Sequence, residues 1–176
     1  VNAKTQLDQA QKRQSSLKIK AIRLQAEVDG GIPEFTDELI EASPAAVTTE
    51  LALFRARLAD LSAKSAILEQ KRQQKFNEIE ELRIQYITAQ NGLALIRQEI
   101  ETIEPLVKSG LAPATRLIAL KREEEASLGN ANSAESAQKR IEAGLVEIDE
   151  QLKAAQQSYV TSALTDLSAI EGEMVE

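Results

Sequence analysis

The chain has 176 residues, 21 basic and 28 acidic, for a net charge of −7, and it contains neither histidine nor cysteine. That removes imidazole-based acid–base and nucleophilic catalysis, zinc sites built on histidine or thiolate, and any disulfide framework. With no Lys/Arg run longer than two residues, it also argues against nucleic acid as a partner.

Aromatic residues make up only 3%, and there are 7 Gly and 4 Pro. What remains is rich in Ala, Leu, Glu, Gln, Lys and Arg, the composition of long helices that bury a narrow stripe rather than of a compact globule. No apolar run reaches the roughly 18 residues needed to span a bilayer as a helix. The chain begins at Val1 with no Met and no signal-peptide pattern, as expected of a piece of a longer protein.

In chain order, Ala3, Leu7, Ala10, Gln14, Leu17, Ala21, Leu24 and Val28 alternate at three- and four-residue steps and predict a helix over 2–29. Asp29-Gly30-Gly31 ends it. A linker over 30–43 carries the turn residues Gly-Gly-Ile-Pro and a short helical possibility at Thr36 to Ala42. The first helix is roughly 42 Å long and the linker stretches to about 48 Å, so either a parallel or an antiparallel packing of this helix is open.

Ser43-Pro44 predicts the start of a second helix over 44–108, the Ser hydroxyl accepting from an orphan backbone N–H and Pro filling the first position. Its stripe passes through Leu51, Phe54, Leu58, Leu61 and Leu68, then Ile79, Leu82, Tyr86, Ala89, Leu93, Ile96, Ile100, Ile103 and Val107. Ser65, Arg72 and Lys75 occupy expected apolar positions, so this stretch is expected to pack loosely or to face a third helix or another subunit. Pro105 predicts a bend or break near Glu101 to Glu104.

A tight turn follows over 109–113. Gly110 supplies the left-handed residue that ends helices and Pro113 fits the first turn of the next one. Leu111 is apolar where a free loop would be polar, so the tip is expected to touch a partner. Leu106, Val107, Gly110, Leu111, Pro113, Thr115, Arg116 and Leu117 are the candidate partner-binding residues. Arg116 has two readings, an exposed helix residue or a polar contact to that partner.

The third helix, over 114–174, has its stripe at Leu117, Leu120, Leu128, Ala131, Ala134, Ile141, Leu145, Ile148, Leu152, Ala155 and Tyr159. The stripe then shifts phase to Ala163, Leu167, Ile170 and Met174, a stutter. The two long helices have nearly equal lengths, as an antiparallel hairpin requires. The expected fold is therefore all-α: a long antiparallel coiled-coil hairpin with a shorter N-terminal helix packed near its base. Glu123, Glu124 and Glu125 point about 100° apart and read as a solvated face, not a metal or catalytic site. Tyr86 and Tyr159 read as core rings. No catalytic, cofactor or metal site is expected.

The run Glu104-Pro-Leu-Val-Lys-Ser-Gly-Leu-Ala-Pro-Ala-Thr-Arg-Leu-Ile-Ala-Leu-Lys-Arg-Glu123 resembles the hairpin turn of periplasmic adaptor subunits, or membrane fusion proteins, of bacterial type I secretion systems, the hemolysin D family. The order of short helix, Gly-Gly-Ile-Pro linker and two heptad helices extends the resemblance over most of the chain. It implies a non-enzymatic helical-domain fragment of a periplasmic protein anchored in the inner membrane. The implied partners are an inner-membrane ABC transporter, a TolC-like outer-membrane efflux duct met by the tip, and further copies forming a ring, expected to be a hexamer. Adaptors of the broader group carry an Arg-Leu-Ser or Arg-Leu-Thr tip motif. Leu106 matches its Leu, while Glu101 or Thr102 stands near the Arg position and Ala112 or Pro113 near the Ser position.

A rival reading is a structural coiled-coil dimerisation or spacer segment in which the turn is only a turn. A membrane-surface helix fits less well, because Lys and Arg do not flank the stripes as a belt. Polar stripe positions Ser65, Arg72, Lys75 and Gln138 are expected contacts between neighbouring hairpins.

Overall fold

The computed structural model describes residues 2–175. It consists of α1 (Asn2–Asp29), α2 (Asp37–Ala42), α3 (Pro44–Lys108) and α4 (Ala114–Val175), and the described residues contain no strand. The fold is all-α, with α3 and α4 forming an antiparallel hairpin. The chain divides into two units, one of Val1–Leu68 with Glu150–Glu176 and one of Glu69–Asp149.

In the first unit α1 packs on both long helices. Leu24 is buried with Ala163, Leu167 and Ile170 of α4, and Leu17, Ala21, Val28 and Met174 pack around them. Burying a Leu or Ile side chain stabilises by about 1.5–3 kcal/mol, so this cluster is an apolar hold on α1. It also explains the stutter. Beyond Tyr159 the phase shift turns Ala163, Leu167 and Ile170 toward α1.

The direction of α1, which the linker length left open, follows from its partners. Arg23 pairs with Glu50 and Glu27 with Arg57, so numbering rises together along α1 and α3. Leu7 to Leu17 instead line a groove with Glu173 and Met174, while Ala26 to Ile32 line one with Gln156 to Val160. The helix is parallel to α3 and antiparallel to α4.

Two faces of α1 are therefore covered, where the sequence pattern suggested one stripe. Ile19, Arg23 and Glu27, one turn apart on a second face, are at most 2% exposed. At the other end of the expected stripe Leu7 is 58% exposed, and the side chain of Ala3 lies outside the described residues.

Backbone capping sets the helix limits. Gly30 takes φ 70° and Gly31 N–H donates to the Ala26 carbonyl at 2.9 Å, closing α1 with a left-handed residue. Ser43 joins α2 to α3 through its backbone, its N–H donating to the Leu39 carbonyl and its carbonyl accepting from Ala46 and Val47.

The second unit is a two-helix hairpin. Arg97 Nε lies 2.8 Å from Glu124 Oε1, Arg116 pairs with Glu99, and Lys121 Nζ lies 3.9 Å from Glu104 Oε1. The midpoints of these antiparallel pairs fall at the turn around Gly110. Buried or half-buried residues on α3 follow an unbroken three-four alternation from Arg72 to Val107, the signature of a coiled-coil seam. Leu93, Ile96, Leu120, Ala131, Ala134 and Ile148 are its buried apolar residues.

Two of the polar seam positions find partners inside the chain. Arg72 Nε reaches Asp149 Oδ1 across the hairpin at 3.0 Å and its guanidinium sits 5.5 Å from the Phe76 ring centre, while Lys75 pairs with Glu78. Arg72 thus faces α4 and stays 38% exposed, as the loose-packing alternative expects of this stretch. Glu124, grouped above with a solvated face, is half-buried in the seam against Arg97. Helix α3 also continues through Pro105 to Lys108 without a break.

Candidate functional site

The turn between α3 and α4 closes as a Schellman motif. Leu111 N–H donates to the Leu106 carbonyl at 2.8 Å and Gly110 N–H to the Val107 carbonyl at 3.0 Å, with Gly110 at φ 76°. Ser109 Oγ adds bonds to the Pro105 and Leu106 carbonyls at 3.0 and 3.1 Å. The last carbonyls of α3 are consequently held by its own turn. Pro113 precedes α4 rather than opening it, and its carbonyl accepts from Arg116 N–H at 3.1 Å.

This capping leaves a defined apolar apex. Leu111 is 78% exposed and Leu106 is 42% exposed. Gly110, Pro113 and Thr115 are exposed around them, whereas Val107 and Leu117 are half-buried as the last seam residues of their helices. The candidate residues therefore divide into an outward group and a pair that closes the hairpin core. Ile118, 52% exposed, stands beside this group and escaped the sequence reading because it follows the seam residue Leu117 and so falls off the stripe.

Charges near the apex are already engaged. Arg116 pairs with Glu99 and Lys108 lies 3.7 Å from Glu104, which Lys121 also approaches. Arg116 is exposed, and its guanidinium pairs with Glu99 of its own hairpin. Exposed pairs of this kind contribute about 0–1 kcal/mol each, so they bias register more than they stabilise it.

A second polar cluster lies in the three-helix unit. Arg23 Nη1 contacts Glu27 Oε1 at 2.7 Å and Nε contacts Glu50 Oε2 at 2.8 Å. Arg57 approaches Glu27 Oε2 at 3.2 Å, Asp166 Oδ2 at 3.4 Å and Ser162 Oγ at 3.2 Å, and it stacks 5.7 Å from the Tyr159 ring centre. Burial disfavours the Arg23 charge, but the bonds to Glu27 and Glu50 outweigh it and hold the guanidinium above its ordinary range. Burial, then the Glu27 charge, raises the Tyr159 phenol, opposed by Arg57 and Arg23. Every charge here has an opposite charge beside it, so the cluster ties three helices together rather than waiting for a ligand. Nor do the described residues contain a group of His, Cys, Asp or Glu placed to hold a metal ion.

The pattern of the AprE long alpha-helical hairpin family matches residues 3–176. The chain belongs to that family. It is 29% identical over 163 residues to the type I secretion system membrane fusion protein PrsE of Rhizobium meliloti (strain 1021), a match covering 88% of this chain and 37% of that protein. The soluble domain of LipC, a membrane fusion protein of a type I secretion system, superposes with a TM-score of 0.91 at 18% identity, over 99% of this chain and 85% of that one. The hairpin resemblance is thereby shown: the chain is a long alpha-helical hairpin of the AprE family, and it spans little more than a third of its curated relative.

Proposed function

We propose that this hairpin belongs to a periplasmic adaptor that links an inner-membrane ABC transporter to an outer-membrane efflux duct in type I protein secretion. Its apex, formed by Leu106, Gly110, Leu111, Pro113, Thr115 and Arg116 with Val107 and Leu117 behind them, docks on the duct. The full-length adaptor is anchored in the inner membrane and assembles as a ring of copies, with a hexamer as the working stoichiometry. It does no chemistry itself, and ATP hydrolysis lies in the transporter.

The observation that carries this reading is Leu111. A leucine 78% exposed at the end of a capped turn leaves most of its side chain outside the hairpin's own packing, as a binding apex requires. Membership of the hairpin family and the likeness to PrsE supply the context of type I secretion.

The test uses single cysteines in the full-length protein, at Leu111 and, as a control, at the exposed mid-helix residue Ser136, with cross-linking in intact cells. A Leu111-specific adduct with an outer-membrane duct protein is expected. Equal adducts from both positions, or none, would leave the hairpin as a spacer whose turn is only a turn.

A further inference from the structure

The acidic excess of this chain stops at the apex. Residues 105–122 carry Lys108, Arg116, Lys121 and Arg122 and no Asp or Glu, which leaves 17 of the 21 basic residues against all 28 acidic ones elsewhere. The helix ends that meet at the turn have opposite polarity, so their dipoles offset one another and side chains set the sign of the apex. One other stretch, residues 9–26 of α1, is as long, as basic and as free of carboxylates, but other helices answer it. Arg23 pairs with Glu50 of α3, and Arg13 lines a groove with Glu173 of α4. Among the described residues, no third helix does this for the apex.

The apex cations are loosely matched within the hairpin. Lys108 and Lys121 approach the same oxygen, Glu104 Oε1, at 3.7 and 3.9 Å, beyond hydrogen-bonding distance. Arg122 is exposed and has no ion pair among the described residues. Lys108 is the last residue of α3, three positions before Leu111, and its side chain is 76% exposed. Its ammonium therefore keeps its donors for an acceptor from outside the hairpin. Apolar and cationic groups thus stand together at the apex, Leu111 and Leu106 beside Lys108, with Arg116 behind them.

We infer that the protein surface receiving the apex is an apolar socket rimmed by carboxylates, with Leu111 entering the socket and Lys108 meeting the rim. Charge selects this partner. An acidic rim attracts the apex cations and repels the rest of a chain whose net charge is −7, so it steers the hairpin in end first and rejects a sideways approach. Because the contacts with Glu104 are long and exposed, exchanging them for a partner's carboxylate loses little. This inference rests on the duct-docking reading of the apex and adds the chemistry of the surface that it meets.

The test uses the full-length protein with Leu111→Cys, any cysteine outside this segment being replaced by serine, and measures in intact cells the yield of its adduct with an outer-membrane protein. Lys108→Gln is expected to lower that yield about threefold and Lys108→Glu about tenfold or more, while Lys108→Arg, which keeps the charge, restores it. Lys139→Glu, an equal reversal at an exposed position in the middle of α4, should leave the yield unchanged. Helicity of the purified variants shows that each is folded. A yield that Lys108→Glu leaves unchanged or raises overturns the inference and leaves the docking reading standing. So does a Lys108→Gln yield equal to the parent's, since the rim would then offer neutral acceptors, or an equal loss with Lys139→Glu. Absence of any adduct from Leu111→Cys alone overturns the docking reading and this inference together.

Discussion

The three-helix unit and the two-helix unit of this chain handle charge differently. Where α1 covers α3 and α4, Arg23 and Glu27 are no more than 2% exposed and are held by a network spanning all three helices. Where only two helices pair, charged residues enter the seam but stay partly wet: Arg72 is 38% exposed against Asp149, and Glu124 is 26% exposed against Arg97. A third helix removes the water that would otherwise solvate a seam charge, so opposite charges must be supplied with it. A two-helix seam keeps an open edge, and a polar residue there costs little.

The difference predicts unequal responses to losing an ion pair. Arg23→Ala leaves Glu27 buried without its closest partner and should destabilise the protein by about 3–5 kcal/mol in chemical denaturation, as breaking a buried pair does. Arg97→Ala in the hairpin should cost about 1 kcal/mol or less. Equal costs would remove the distinction between the units. Apolar truncation should be strong in both: Leu24→Ala and Leu93→Ala, at 0% and 2% exposure, are each expected to cost about 2–5 kcal/mol. Leu95→Ala, at 68% exposure, should change stability by no more than about 0.5 kcal/mol.

The turn gives a smaller effect. Gly110→Ala forces a side chain into φ 76° and should cost about 1–2 kcal/mol, read by the same denaturation curves. The smallest signal is a titration. Burial and Glu27 raise the Tyr159 phenol, so in a Tyr86→Phe background phenolate absorbance should appear at higher pH folded than unfolded. The sign follows from the proton being held more tightly in the fold. This contribution is fully present below the unfolded tyrosine range and declines as pH rises through the folded one. A Tyr159 that ionises at or below the unfolded value would contradict its placement beside Glu27.

The hairpin class was legible in the sequence because a coiled-coil seam repeats. Ile79, Leu82, Tyr86, Ala89, Leu93 and Ile96 mark it without reference to any distant residue, and Gly110 and Pro113 mark its reversal. The direction of α1 was not legible, since it depends on Arg23 meeting Glu50 and Glu27 meeting Arg57, and a heptad pattern records which face is apolar but not which charges will find each other. For the same reason nothing in the pattern marked Arg23 and Glu27 as buried residues. At the apex, Leu111 stood out by its chemistry in a turn. Ile118 did not, because a lone apolar residue off the stripe is unremarkable until its exposure is seen.

The central claim is that the apex binds a partner, and secretion by cells carrying Leu111→Asp in the full-length adaptor tests it most directly. At 78% exposure the substitution should leave stability within about 0.5 kcal/mol of the parent, so the adaptor should accumulate normally. The account predicts normal adaptor levels with secretion reduced at least tenfold. Unchanged secretion at normal adaptor levels would contradict it.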